Sequence, residues 1–300
     1  MTGTAAIVTD GLTKRYGGRI AVDRLSMAVP AGQVTGFVGP NGAGKSTTIR
    51  MLLSLIRPTA GSATVFGRSL ADAATYLTWV GALVESPALY PRLSGRDNLG
   101  VLGRLAGNTS RIDQVLETVG LTDRAGDAVG TYSLGMRQRL AIAAALLPDP
   151  RLVILDEPAN GMDPEGIRDI RRLLRGLAER GVTAFVSSHQ LSEVEQVCDH
   201  IVLLRTGRLL YQGSLTELTS LHQPQMTARP DDPAQLDALA HLARAQGWTV
   251  GVDRDAIVVN GPPATLNRLA HQHDITLAHL STRPLTLEEI FFRLTQKDGI

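Results

Sequence analysis

The feature that most constrains this chain is the run at 39–47, Gly39-Pro40-Asn41-Gly42-Ala43-Gly44-Lys45-Ser46-Thr47. It has the form G-x-x-x-x-G-K-[ST] and stands between an apolar segment at 33–38, which predicts a short buried strand, and an amphipathic segment at 46–56, which predicts a helix with Ile49, Leu52, Leu53 and Ile56 on one face. Glycines in that position let backbone N–H groups turn inward around phosphate oxygens, and the helix start adds the positive end of its dipole. Lys45 is placed to reach the β and γ phosphates as a compact charge, and the Ser46 hydroxyl to meet Mg2+. The only other lysines are Lys14 and Lys297, so a chance match at all four fixed positions is rare, and an ordinary glycine turn does not account for it.

The chain around this loop alternates strand and helix. Apolar strands are expected at 152–155 and 182–186, which argues for an α/β fold with a mostly parallel sheet covered by helices and ligands gathered at the carboxyl ends of the strands. The strand at 152–155 runs into Asp156, a suitable Mg2+ partner, and then Glu157, where a carboxylate can orient or deprotonate an attacking water. The next strand ends in His189, within reach of a γ-phosphate. Taken singly, an acid pair after a strand or a lone histidine reads as ordinary surface; Lys45, Asp156, Glu157 and His189 at equivalent strand ends read as one site. The guanine-reading N-K-x-D pattern is absent, which sets aside a GTPase.

Bulk composition narrows the partners. The 300 residues are 43% apolar, enough for a large domain with a smaller companion, and 30 Lys+Arg against 29 Asp+Glu leave a formal charge of +1. No global field draws such a chain to nucleic acid or acidic lipid. Residues 1–10 lack the basic start and apolar centre of a signal peptide, and no apolar stretch is long enough to span a membrane, so a cytoplasmic protein is expected. The single cysteine, Cys198, reads as a core thiol.

After Leu221 three prolines and two adjacent aspartates fall within HQPQMTARPDDPAQ, and a linker is expected there. The boundary divides the chain into 1–221 and 222–300. The second part reads as strand 226–229, helix 234–246, strands 248–253 and 256–259, helix 263–273, strand 275–280 and a closing helix 285–295, a βαββαβ order suggesting a small ferredoxin-like α+β domain. His271 and His273 lack a third ligand nearby and read as a solvated helix end.

With the loop, the acid pair and the histidine, residues 5–220 resemble the ATP-binding subunit of an ABC transporter, a P-loop NTPase fold. The segment Y132-SLGMRQRL-L140 stands where that family's signature lies, so Ser133 and Gly135 carry over while Leu134 and Met136 depart from the usual pattern. Ser133 can still cap the helix that starts there, and Gly135 still allows a phosphate near the backbone. The resemblance implies that this helix approaches ATP held by a second copy, in a head-to-tail dimer with two nucleotides. It also implies that N160-GM-D163, ending in Asp163, helps join the two halves, and that Tyr16 stacks on adenine. Glu85 takes the place of a family glutamine that senses Mg2+ and touches a separate membrane permease. A glutamate there, with this signature, is similar to exporters conferring immunity to lantibiotics and bacitracin, and L287-EEIFFRLT resembles the C-terminal extension of drug-export ATPases. The expected activity is MgATP hydrolysis with Glu157 as base, His189 on the γ-phosphate, and Ser46, Glu85 and Asp156 on the metal. A soluble ATPase acting on ribosomes or DNA is the rival, for which paired cassettes or a long coiled-coil insertion would be expected. Export of another substrate, such as lipid or polysaccharide, is a further alternative.

Overall fold

The computed structural model describes residues 5–84, 89–221 and 224–297. The chain divides into two compact units, Met1–Leu215 and Thr216–Ile300, with the helix Leu215–Ser220 at the junction.

The first unit holds a six-stranded sheet in the order Arg208–Ser214, His200–Arg205, Val34–Val38, Thr183–Ser188, Leu152–Asp156, Val80–Leu83. All neighbours are parallel except the pair at the Arg208–Ser214 edge. Val34–Val38, Leu152–Asp156 and Thr183–Ser188 are buried at every residue, which is why they read as continuous apolar runs rather than alternations. Register aligns their carboxyl ends: Val38 faces Ser188, and Asp156 faces Ser187. Residues that follow these strands therefore emerge together on one edge of the sheet.

A second, four-stranded antiparallel sheet was not legible as such from the sequence. Ala5–Tyr16 pairs with Arg19–Pro30 on one side and Ala60–Val65 on the other, and Arg68–Ser69 completes it. Its inward residues Ile7, Leu25, Met27 and Val29 share a core cluster with Phe37, Ile49, Leu52, Ile154 and Phe185, so the helix Lys45–Leu52 is packed in common with both sheets. At its centre the Phe37 and Phe185 rings lie 4.9 Å apart and tilted, a favourable aromatic geometry.

That helix is shorter than the 46–56 expected. Ser54 takes a left-handed backbone, φ 55°, and its hydroxyl lies 2.7 Å from the buried Tyr76 hydroxyl, so a tertiary contact ends the helix while Ile56 still packs against the core. Downstream, the helices Gly95–Leu105 and Leu134–Leu146 are capped by Ser94 and Ser133. Cys198 is buried, and burial pushes its thiol far above the ordinary cysteine range, as expected for a core residue.

The second unit carries a sheet in the order Val250–Asp253, Ala256–Val259, Gln225–Pro230, Leu277–Arg283, antiparallel throughout. Helices Leu236–Ala245 and Pro263–Gln272 place Leu239, Ala243, Leu266 and Ala270 in one cluster with Met226, Ala228, Ile257 and Val259. The strand expected from 248 begins at Val250, because the Thr249 N–H donates to the Asn260 side chain at 2.7 Å instead of to a ladder. The last strand runs on to Arg283 through polar residues, held by pairing with Gln225–Pro230. Among the described residues no helix is long and apolar enough to cross a membrane.

Candidate functional site

The phosphate loop has the geometry its glycines demand. Gly44 sits at φ +103°, and a Cβ there would come 2.6 Å from the Ala21 carbonyl oxygen. A Cβ on Gly39 would come 2.5 Å from the Leu204 carbonyl oxygen. Both positions exclude any side chain while leaving the backbone N–H groups turned along the loop. The Lys45 side chain is 6% exposed, and its Nζ donates to the Gly39 carbonyl at 2.7 Å.

Glu157 is the centre of the site. Its φ of 51° is uncommon for a non-glycine residue, and it turns the chain sharply out of the strand Leu152–Asp156. Its Oε1 lies 3.3 Å from Lys45 Nζ, and its Oε2 lies 2.8 Å from His189 Nδ1. The His189 N–H also approaches that same oxygen, at 3.4 Å. Ser187 braces the acid pair: its hydroxyl donates to Asp156 Oδ1 and accepts from the Glu157 N–H at 2.9 Å. Asp156 is 8% exposed, so this hydroxyl gives a buried carboxylate the donor it needs.

These groups open onto a cleft of roughly 680 Å3 whose lining includes Tyr16, Asn41 to Thr47, Glu157 and His189. Gly39, Pro40 and Asp156 stand outside that lining, the first two where Lys45 Nζ makes its carbonyl contacts and the third held by Ser187. Tyr16 is exposed, with Lys14 Nζ over its ring, 5.1 Å from the centre. The residues fit a nucleotide triphosphate with a hard cation: two backbone positions that only glycine can fill, a buried lysine, the hydroxyls of Ser46 and Thr47, and a carboxylate pair next to them.

Other expected residues lie elsewhere. Ser133 is an exposed helix cap whose Oγ accepts from the Met136 N–H at 3.2 Å, and Asp163 caps the helix Pro164–Glu179 by accepting from the Gly166 N–H at 2.8 Å. Neither they nor Gly135 line the cleft of their own chain. They do meet one another's segments: a Cβ on Gly135 would touch Met162, and one on Gly161 would touch Leu134. Glu85 lies outside the described residues.

Sequence reasoning missed Arg19, which lines the cleft, and the brace Ser187; it placed Asn160 in the loop that joins the two halves, and Asn160 also lines the cleft of its own chain. Arg19 had a signal: Tyr16 and Arg19 are register partners across a Gly-Gly turn, so a hairpin that presents one presents the other.

The fold and site define a nucleotide-binding cassette, and comparison with known proteins agrees. The family model "ABC transporter" matches residues 22–160. The bacitracin transport ATP-binding protein BcrA of Bacillus licheniformis is 40% identical, over 96% of both chains. The daunorubicin/doxorubicin resistance ATP-binding protein DrrA of Streptomyces peucetius is 35% identical, over 97% of this chain and 93% of its own. A solved structure of an ATP-binding subunit of an ABC transporter superposes with a TM-score of 0.64 at 29% identity, covering 72% of this chain and 92% of that one. The chain belongs to the ATP-binding subunits of ABC transporters.

Proposed function

We propose that this protein is the MgATP-hydrolysing subunit that drives a separate membrane permease, exporting an antibiotic or antimicrobial peptide. The observation that carries the hydrolytic reading is the Glu157 carboxylate, held between Lys45 at 3.3 Å and His189 at 2.8 Å on the rim of the phosphate loop. In this reading the loop backbone and Lys45 hold the β and γ phosphates, Tyr16 stacks on adenine, and His189 contacts the γ-phosphate. Glu157 accepts the proton of the attacking water. Bound Mg2+ neutralises charge developing on the phosphate oxygens; Ser46, Asp156 and Glu85 are the side chains assigned to it.

Ser133, Gly135 and Asp163 lie outside the lining of their own chain's cleft, which supports a head-to-tail pair of copies in which the signature helix of one completes the site of the other. The permease places the chain on the cytoplasmic face of the membrane. Full-length likeness to the bacitracin and daunorubicin/doxorubicin proteins supports the class of cargo. The βαββαβ order of the second unit supports reading 222–300 as a ferredoxin-like accessory domain.

The test is copurification with the tagged chain from gently solubilised membranes of the cells that produce it, with ATPase activity assayed on the purified complex. A membrane protein recovered with the wild-type chain, and drug resistance lost in the Glu157→Gln strain, is the expected result. Recovery of ribosomes or DNA instead would replace this reading with the rival.

A further inference from the structure

The cleft over the phosphate loop has to hold a polyanion, yet one of the two permanent cations in its lining is already matched. Those cations are Lys45 and Arg19, and the carboxylate lining the same cleft is Glu157. Lys45 Nζ lies 3.3 Å from Glu157 Oε1. Arg19 is exposed, and among the described residues no ion pair or side-chain hydrogen bond engages its guanidinium.

The fold brings this side chain to the loop. Arg19 opens the strand Arg19–Pro30 and is the register partner of Tyr16, the last residue of Ala5–Tyr16. Residues directly opposed in an antiparallel pair put their side chains on one face of the sheet. The hairpin therefore presents a ring and a guanidinium side by side, across a turn in which Gly17 takes φ +56°. The start of the second strand is also pinned to the phosphate loop. The Ala21 carbonyl oxygen lies 2.6 Å from where a Cβ on Gly44 would stand. The Asp23 N–H donates to the Gly207 carbonyl at 2.9 Å, and the Gly207 N–H donates to the Ala43 carbonyl at 3.0 Å. Arg19 reaches the loop with its own tip, for its Nη2 lies 3.8 Å from where a Cβ on Gly42 would stand. No other heavy atom outside the immediate chain neighbours comes within 4 Å of that point, so the guanidinium borders open space directly above the loop backbone.

We propose that Arg19 is a second phosphate-binding cation of this site, contacting the phosphate chain of the nucleotide from the hairpin while Lys45 holds it from within the loop. The proposal rests on the reading of 39–47 as a phosphate loop and adds a residue to that site. A single hairpin then recognises both parts of the ligand, the base through Tyr16 and the phosphate chain through Arg19. A guanidinium keeps its charge at every working pH and offers several donors to phosphate oxygens. Its contribution depends on the phosphates and not on the base.

The experiment measures binding of ATP, adenosine and inorganic tripolyphosphate to the full chain, each by competition against a fluorescent ATP analogue at fixed free Mg2+. Arg19→Met keeps an unbranched stem and removes the charge. Its dissociation constants for ATP and for tripolyphosphate should each rise about tenfold, while that for adenosine stays within about twofold. Arg19→Lys keeps the charge and should stay within about threefold of wild type for all three ligands. Wild-type affinity of Arg19→Met for ATP and tripolyphosphate would overturn the proposal. So would a loss that adenosine shares equally, which marks a disturbed hairpin acting through Tyr16, or an Arg19→Lys variant as weak as Arg19→Met. The two readings fail separately. Unchanged ATP affinity in Lys45→Ala would remove the phosphate loop itself, whereas a weakened Lys45→Ala beside a wild-type Arg19→Met would remove Arg19 alone.

Discussion

His189 Nδ1 lies 2.8 Å from Glu157 Oε2, while the other oxygen of the same carboxylate lies 3.3 Å from Lys45 Nζ. One side chain thus joins the ends of three parallel strands that register places side by side. Glutamine at 157 keeps the shape of that side chain but cannot take up a proton. Glu157→Gln should bind MgATP as wild type does and lose roughly 10²–10⁴-fold in turnover, the range of a general base. Paired calorimetry and phosphate-release assays check this, and light scattering at saturating ATP should show the variant accumulating as a dimer. A monomer with wild-type hydrolysis would take Glu157 out of the base role.

Lys45→Ala removes the buried charge that faces the Gly39 carbonyl at 2.7 Å and the phosphates in the proposed complex. Hydrogen bonds to charged groups contribute about 1.5–3 kcal/mol each, so ATP affinity should fall by roughly one to two powers of ten. Calorimetry showing unchanged affinity would contradict the assignment of the loop.

Ser187→Ala tests the brace. It leaves the Asp156 oxygen and the Glu157 N–H without the hydroxyl that joins them, and each buried group left unsatisfied costs about 1–3 kcal/mol. A lower midpoint in urea unfolding and a lower kcat at saturating ATP are the expected outcomes. A variant equal to wild type in both would show that water replaces the hydroxyl without loss.

The core strands and the loop were legible because burial on both faces leaves continuous apolar runs and because few chains put glycine, lysine and two hydroxyls at that spacing. Ser187 was not legible, since the serine pair at the end of an apolar strand carries no periodic signal and the role of Ser187 depends on the register with Asp156. The antiparallel sheet was missed for a related reason: its strands shift register repeatedly between Ala5 and Tyr16, which blurs the alternation that marks a half-buried strand. The helix Lys45–Leu52 ends where Ser54 meets Tyr76, 22 residues away in sequence, and no local pattern announces that contact.

Glu85 lies outside the described residues, so its test rests on the sequence reading. A carboxylate oxygen suits Mg2+ as well as an amide oxygen does, and its charge binds a hard cation more strongly while repelling a nearby γ-phosphate. Glu85→Gln should keep much of the ATPase activity with a changed Mg2+ dependence, and Glu85→Ala should lose transport more than hydrolysis. ATPase activity against Mg2+ concentration, together with drug resistance in cells carrying the permease, measures both. Two variants indistinguishable from wild type in both assays would make Glu85 an ordinary surface residue.

The last prediction concerns pH and the second unit. Glu289 accepts two hydrogen bonds from Arg283, at 2.8 and 2.7 Å, and one from the Thr286 N–H at 2.9 Å, while Thr286 Oγ1 accepts from the Glu289 N–H at 3.3 Å. This reciprocal pair is a capping box at the start of the helix Leu287–Lys297. The Arg283 guanidinium, with the Thr286 contacts, pulls the Glu289 carboxyl down to about 2 against burial that would raise it. A carboxylate depressed in the folded state adds stability that is present in full above its unfolded value, near 4.5, and is lost as pH falls toward about 2. Arg283 is half exposed, so solvent and salt screen much of the ion pair and the effect should be modest. Thermal unfolding of wild type and Glu289→Gln should therefore differ most at neutral pH, and the two curves should converge between about pH 4.5 and pH 2. A difference that stays constant across that window would show that Glu289 acts through its shape and its cap, not through its charge.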